Sequence, residues 1–160
     1  MGSVKEKDRS NTLVQPIIGD TTQKEGTEKM VRLILAAPLI LHGIAHVSGF
    51  MSSWTSNPAG FSKRPWIFSS GLTLSDPLGH AFGLLWLATM ASLVGAGLGL
   101  SFRQDWWPTL TMVGAVLSLV VILPWWNTVP PGAKFGAAFD LLVIILLILP
   151  FKSRILDLVQ

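Results

Sequence analysis

The chain has 160 residues, of which 50% are apolar and only 13% charged, and its mean hydropathy is +0.54. Soluble domains carry about 25% charged residues, so this composition argues against an ordinary soluble domain, and its apolar content argues against a disordered chain. Cysteine and tyrosine are both absent, which removes disulfides, thiolate metal sites, cysteine nucleophiles and tyrosyl acids from consideration.

Residues 1–29 read as a disordered polar N-terminal tail. Charges alternate through Lys5, Glu6, Lys7, Asp8 and Arg9, and the small apolar cluster of Leu13, Val14, Ile17 and Ile18 is interrupted by Pro16. That is too little apolar surface to bury.

Residues 30–152 read as a transmembrane domain. Four apolar runs give spans at about 31–51, 79–102, 106–126 and 133–151. A helix needs about 20 residues to cross a hydrocarbon core of about 30 Å. The first three runs meet this directly, and the fourth does so if Ala133 and Lys134 reach the headgroups. No run alternates with period two, so a β-barrel is excluded and helices remain. The expected fold is therefore an all-α membrane protein, a four-transmembrane-helix bundle, followed by a short C-terminal tail at 153–160.

The ends of the spans carry helix signals. Asp76 precedes Pro77 as an N-cap acid before a first-turn proline, and Asp105 is placed to cap the third span. Trp106 and Trp107 at one end of that span, and Trp125 and Trp126 at the other, read as interface anchors, as do Trp54 and Trp66 in the loop. The loop, residues 52–77, exceeds the roughly 12–15 residues beyond which loops are often functional. It is expected on the outer surface, either covering the bundle mouth or serving as a passive linker.

Basic residues set the orientation. Lys24, Lys29, Arg32, Arg103, Lys152 and Arg154 flank one side, and Lys63, Arg64 and Lys134 the other. Six against three places both termini in the cytoplasm, and the expected location is the plasma membrane. The same distribution assigns the basic pI of 9.6 to headgroup contact, so no nucleic-acid partner is expected. The partners expected are the lipid bilayer and a protein subunit or a second copy of the chain.

Four ionisable side chains fall in or near the spans: His42, His46, His80 and Asp140. An Asp at a membrane helix centre costs about 2.5–3.5 kcal/mol on insertion scales, so each needs a partner. His42 and His46 are four apart and share a helix face with Pro38 and Gly49. Asp140 shares a face with Gly136 and Ala137. At 1.5 Å per residue, His46 lies about 6 Å further out than His42, and Asp140 lies near its level. His80 sits nearer the rim. The spacing brings His42, His46 and Asp140 within reach of one another, but sequence does not show that the faces meet.

Several readings of these side chains stand at this level. They form a proton-handling or small-ligand site; they bind a metal, with His42, His46, His80 and Asp140 as candidate ligands; they ligate haem b, which would require His80 because His42 and His46 share one face; or they are structural hydrogen bonds in an accessory subunit of a membrane complex. No HExxH, P-loop, GxGxxG or GxSxG signature occurs, and the balance leans away from an enzyme. Small residues at four-residue spacing, Ala91, Gly95 and Gly99 on span two and Gly114 and Ser118 on span three, read as packing seams.

Overall fold

The computed structural model of the chain describes residues 18–61, 72–127 and 132–149. Among the described residues all regular structure is helical and no strand occurs. The elements are α1 (Ile18–Ala45), α2 (Val47–Trp54), α3 (Pro77–Ser101), α4 (Trp107–Ile122) continued by a 3₁₀ turn (Leu123–Trp125), and α5 (Gly132–Ile148). Three helical stretches are long and apolar enough to cross a membrane: Gln23–Trp54, Pro77–Ser101 and Trp107–Trp125. The fourth helix, α5, is apolar but has 17 residues, short of the roughly 20 that a crossing takes.

The helices start and stop differently from the sequence expectation in four places. First, α1 begins at Ile18, inside the stretch expected to be a disordered tail. Within this part of α1, Glu28 lies 3.9 Å from Lys24 on the same face and 3.1 Å from Arg103 in the α3–α4 turn. Second, the run expected as one span at about 31–51 divides in two: α1 continues through Pro38 and breaks at His46, where α2 follows. There the His46 N–H donates to the Gly43 carbonyl (3.0 Å) and the Gly49 N–H to the His46 carbonyl (3.1 Å), the three-residue spacing of a tightened turn.

Third, Asp76 does stand at the N-cap of α3, but its Oδ2 accepts from the Thr73 backbone N–H (2.6 Å) and hydroxyl (2.9 Å) and from no amide of the helix. Fourth, Asp105 is not a cap, because α4 starts at Trp107 after an N-cap Trp106. Residues 1–17, the C-terminal tail and Trp66 lie outside the described residues.

Packing centres on α3, which lies against α1, α2 and α4, while α5 packs on α4. Two apolar clusters fill the interior. One holds Ala36, Leu39, Leu93, Leu100, Trp107 and Leu147, and the other Leu74, Trp86, Val121, Trp125 and Ala137 among its members. The outside is apolar too: Leu33, Leu41, Leu84, Val116, Leu141 and Ile145 are all more than two-fifths exposed. An apolar exterior over an apolar interior is the pattern of a helix bundle that sits in lipid.

The tryptophan pairs correct a further expectation. Trp54 and Trp106 are about half exposed, but Trp107 and Trp125 are buried at 8% and 0%. Adjacent residues on a helix point about 100° apart, so only one member of each pair is free to face outward. Trp125 instead meets Phe82 edge-on at 4.8 Å.

Glycine permits the closest approaches. A Cβ at Gly49 would lie 2.2 Å from the Trp86 ring, which is itself boxed by His46 and Phe61. Gly26, by contrast, has nothing within 4 Å. Substitution at the two positions should therefore act with opposite sign. Gly49→Ala is expected to cost about 1–3 kcal/mol through overpacking, whereas Gly26→Ala should gain about 0.5–1 kcal/mol from helix propensity. Thermal unfolding midpoints of the detergent-solubilised variants check both.

Candidate functional site

Three helices meet at a polar cluster in the apolar interior. His42 comes from α1, His46 from the break after it, Ser118 from α4 and Asp140 from α5. Asp140 and Ser118 are fully buried and His46 is 2% exposed. Local sequence explains how they meet. Gly136 stands one turn before Asp140, and a Cβ there would lie 3.0 Å from the His42 ring. Its bare backbone seats the imidazole beside the carboxylate. Gly114, one turn before Ser118, instead seats α4 against α3, where a Cβ would lie 2.8 Å from Leu93. Trp86 (5.2 Å) packs on His46, and Phe139 (5.0 Å) on His42.

The hydrogen bonds run in series. His46 Nδ1 is 2.8 Å from the His42 carbonyl, and His46 Nε2 is 2.8 Å from Ser118 Oγ. The Ser118 hydroxyl donates to Asp140 Oδ2. Asp140 Oδ1 is 3.0 Å from His42 Nε2, which also stands 3.4 Å from Ser118 Oγ. The two imidazoles meet edge to face at 4.7 Å. Asp140 therefore bonds directly to His42 and reaches His46 only through Ser118.

Counting protons defines what this arrangement does chemically. A carbonyl only accepts, so His46 Nδ1 carries a proton. The remaining links, His46–Ser118, Ser118–Asp140 and Asp140–His42, need one proton each. Two neutral imidazoles, one hydroxyl and a carboxylate bring two: the Ser118 proton and the one on His42 Nε2. One further proton completes the series, and it has two homes. With His46 doubly protonated, His46 donates to Ser118 and Ser118 to Asp140. With Asp140 protonated on Oδ2, Asp140 donates to Ser118 and Ser118 to His46. The two forms interconvert by a concerted shift of two protons across the Ser118 oxygen, and the cluster is neutral in both. Neutrality matters in a medium where a lone buried charge is heavily penalised.

His80 stands apart from this cluster. Its carbonyl accepts from Trp54 Nε1 (3.1 Å) and its ring lies 4.9 Å from the Trp54 ring. Among the described residues no three His, Asp or Glu side chains form a group able to hold a metal. The 4.7 Å between the His42 and His46 rings leaves no room for a porphyrin between them.

Ser118 is the network residue that the sequence reading took for packing. Other buried or part-buried hydroxyls, of Ser53, Thr89, Ser101 and Thr111, donate to the carbonyl four residues back in their own helix. Ser118 is different in reaching two other helices. The available signal was its place one turn after Gly114, on a face that must approach a neighbour closely.

Comparison with protein-family models, with curated proteins and with solved structures finds no match to this chain.

Removing the Ser118 hydroxyl leaves His46 Nε2 and Asp140 Oδ2 without this bridge. Ser118→Ala should cost about 1–3 kcal/mol, as for a buried unsatisfied polar group. Ser101→Ala, which removes only a back-bond within one helix, should stay within about 0.5 kcal/mol. Parallel unfolding measurements on the two variants check the contrast.

Proposed function

We propose that the chain is a four-span integral membrane protein of the plasma membrane, with both termini cytoplasmic, whose His42–His46–Ser118–Asp140 network holds and passes a proton within the bilayer. The reading of four spans draws on the apolar exterior, on α5 and on the six-to-three bias of basic residues. The observation that carries the proton reading is the serial hydrogen-bonding around a fully buried carboxylate. It takes up one proton, and it relays that proton through a hydroxyl without gaining net charge. Intramembrane His and Asp chains of this kind serve as proton relays.

The decisive variant is Asp140→Asn, which keeps the shape of the side chain and removes its titration. With purified protein in vesicles that enclose a pH-sensitive dye, an imposed potential should drive proton flux in the wild type. The variant should lose at least ten-fold of that flux. Equal flux in the two proteins would sink the proposal.

A second reading is an accessory subunit in which the network sets helix register. It rests on the seam between α1 and α5, whose backbones stay apart while side chains such as His42 and Asp140 bridge them. Between them lies an apolar groove of about 470 Å³ lined by Leu35, Leu39, Phe139, Val143 and Leu147 among others. This reading expects a larger protein to co-purify in fixed ratio and expects no proton flux above that of empty vesicles.

A further inference from the structure

A second cavity, of about 130 Å³, adjoins the network on the side of the α1–α2 break. His42, His46, Phe61, Trp86, Gly132 and Gly136 form much of its wall. It is comparable with the roughly 150 Å³ cavity that admits benzene in another protein. Its walls are mostly apolar with a few polar groups, the usual make-up of a small-molecule site.

The polar groups are complementary to one functional group. His42 spends Nε2 on Asp140, and its Nδ1 has no hydrogen-bond partner among the described residues. A neutral imidazole that donates through Nε2 keeps a lone pair on Nδ1, so this nitrogen is a base. Trp86 forms wall, and its indole N–H is closed off within the protein, 5% of the residue being exposed, with no acceptor among the described residues. Indole only donates. The first turn of α5 begins at Gly132, and Gly132 and Ala133 also form wall. First-turn amides have no acceptor within their own helix, and they favour negative charge. Ser48 Oγ gives its proton to the Ala45 carbonyl (2.7 Å) and so offers only lone pairs.

We propose that this cavity binds a small carboxylic acid and accepts its proton on His42 Nδ1. The inference rests on reading the network as a proton acceptor. In the transfer the acid O–H bond breaks and an Nδ1–H bond forms. The electron pair stays on the carboxylate oxygen, which faces the start of α5. The imidazolium keeps its Nε2–H on Asp140. The titratable groups around His42 are His46 from the α1 break and Asp140 from α5. Where α3 and α4 meet the cavity and the network, they present Trp86, Ile122 and Ser118, none of them charged. An amine would set donors against the positive helix end, and a hydrocarbon would leave the His42 Nδ1 lone pair unanswered.

The test uses the full chain in nanodiscs, with propionate as the probe and methyl propionate as the control. Calorimetry at neutral pH in two buffers of different ionisation enthalpy should show saturable propionate binding with one proton taken up per anion. One indole N–H resonance, assigned by its loss in Trp86→Phe, should move with the same saturation. His42→Gln should bind at least ten-fold more weakly and take up no proton. Absence of saturable binding, equal binding of the ester, or undiminished proton uptake in His42→Gln would each overturn the proposal. Flux that depends on Asp140 in a protein that ignores propionate would remove the ligand and leave the proton reading standing. Propionate binding with proton uptake, in a protein whose flux is indifferent to Asp140→Asn, would support the ligand and overturn the flux reading.

Discussion

A carboxylate with no access to water, inside a bundle whose exterior is also apolar, has to be answered by protein groups. Asp140 imposes that condition, and much of the architecture meets it. Neither oxygen is left to solvent: Oδ1 faces His42 from α1, and Oδ2 faces Ser118 from α4. Breaking a buried ionic pair by removing one partner typically costs about 3–5 kcal/mol, more than any single apolar contact at this level. Three helices are therefore held in one register. Gly136 leaves room for the His42 ring one turn before Asp140, and Gly114, one turn before Ser118, lets α4 seat on Leu93 of α3.

The element α3 contributes no group to the network and yet positions it. It is the helix that α1, α2 and α4 share. Its Trp86 packs on the His46 ring, in the space that Gly49 leaves open. The break at His46 has a local cause, a tightened turn between Gly43 and Gly49, and a consequence for the site. It directs the His46 ring toward Ser118 while its Nδ1 holds the last turn of α1 through the His42 carbonyl. One residue thus joins the helix break to the polar cluster.

Much of this was legible in the sequence, and what was not has physical reasons. Long apolar runs identify helices because lipid admits few other ways to satisfy a backbone. The i, i+4 spacing of His42 and His46, together with one acid in the last run, identified the groups that the structure brings together. Ser118 stayed hidden because a serine in an apolar helix ordinarily bonds back to its own chain, as Ser53 and Ser101 do, and no spacing rule separates the two cases. The helical start of α1 was hidden because its residues are polar and carry no long apolar run, and the long-range contact there of Glu28 with Arg103 spans 75 residues. The burial of Trp107 and Trp125 was hidden because a pair of adjacent tryptophans does not reveal which member turns inward. His80 was grouped with the other histidines by residue type alone, and its neighbour is Trp54 instead.

The make-up of the network bears on whether it only fixes register. Register needs one satisfied bond per helix pair, and a neutral amide or hydroxyl would serve without the desolvation of a carboxylate. Here two imidazoles, a hydroxyl and a carboxylate stand in series, one proton short of complete in their simplest form. Completing the series neutralises it, and the completing proton has two homes, His46 and Asp140, on either side of Ser118. A group that only braced helices would favour a single arrangement, because a second one weakens the constraint. A group that moves protons favours two arrangements of similar energy, related by small shifts of hydrogen and no movement of heavy atoms. The four side chains offer two such arrangements around Ser118, and this is the physical ground on which the proposed proton relay stands.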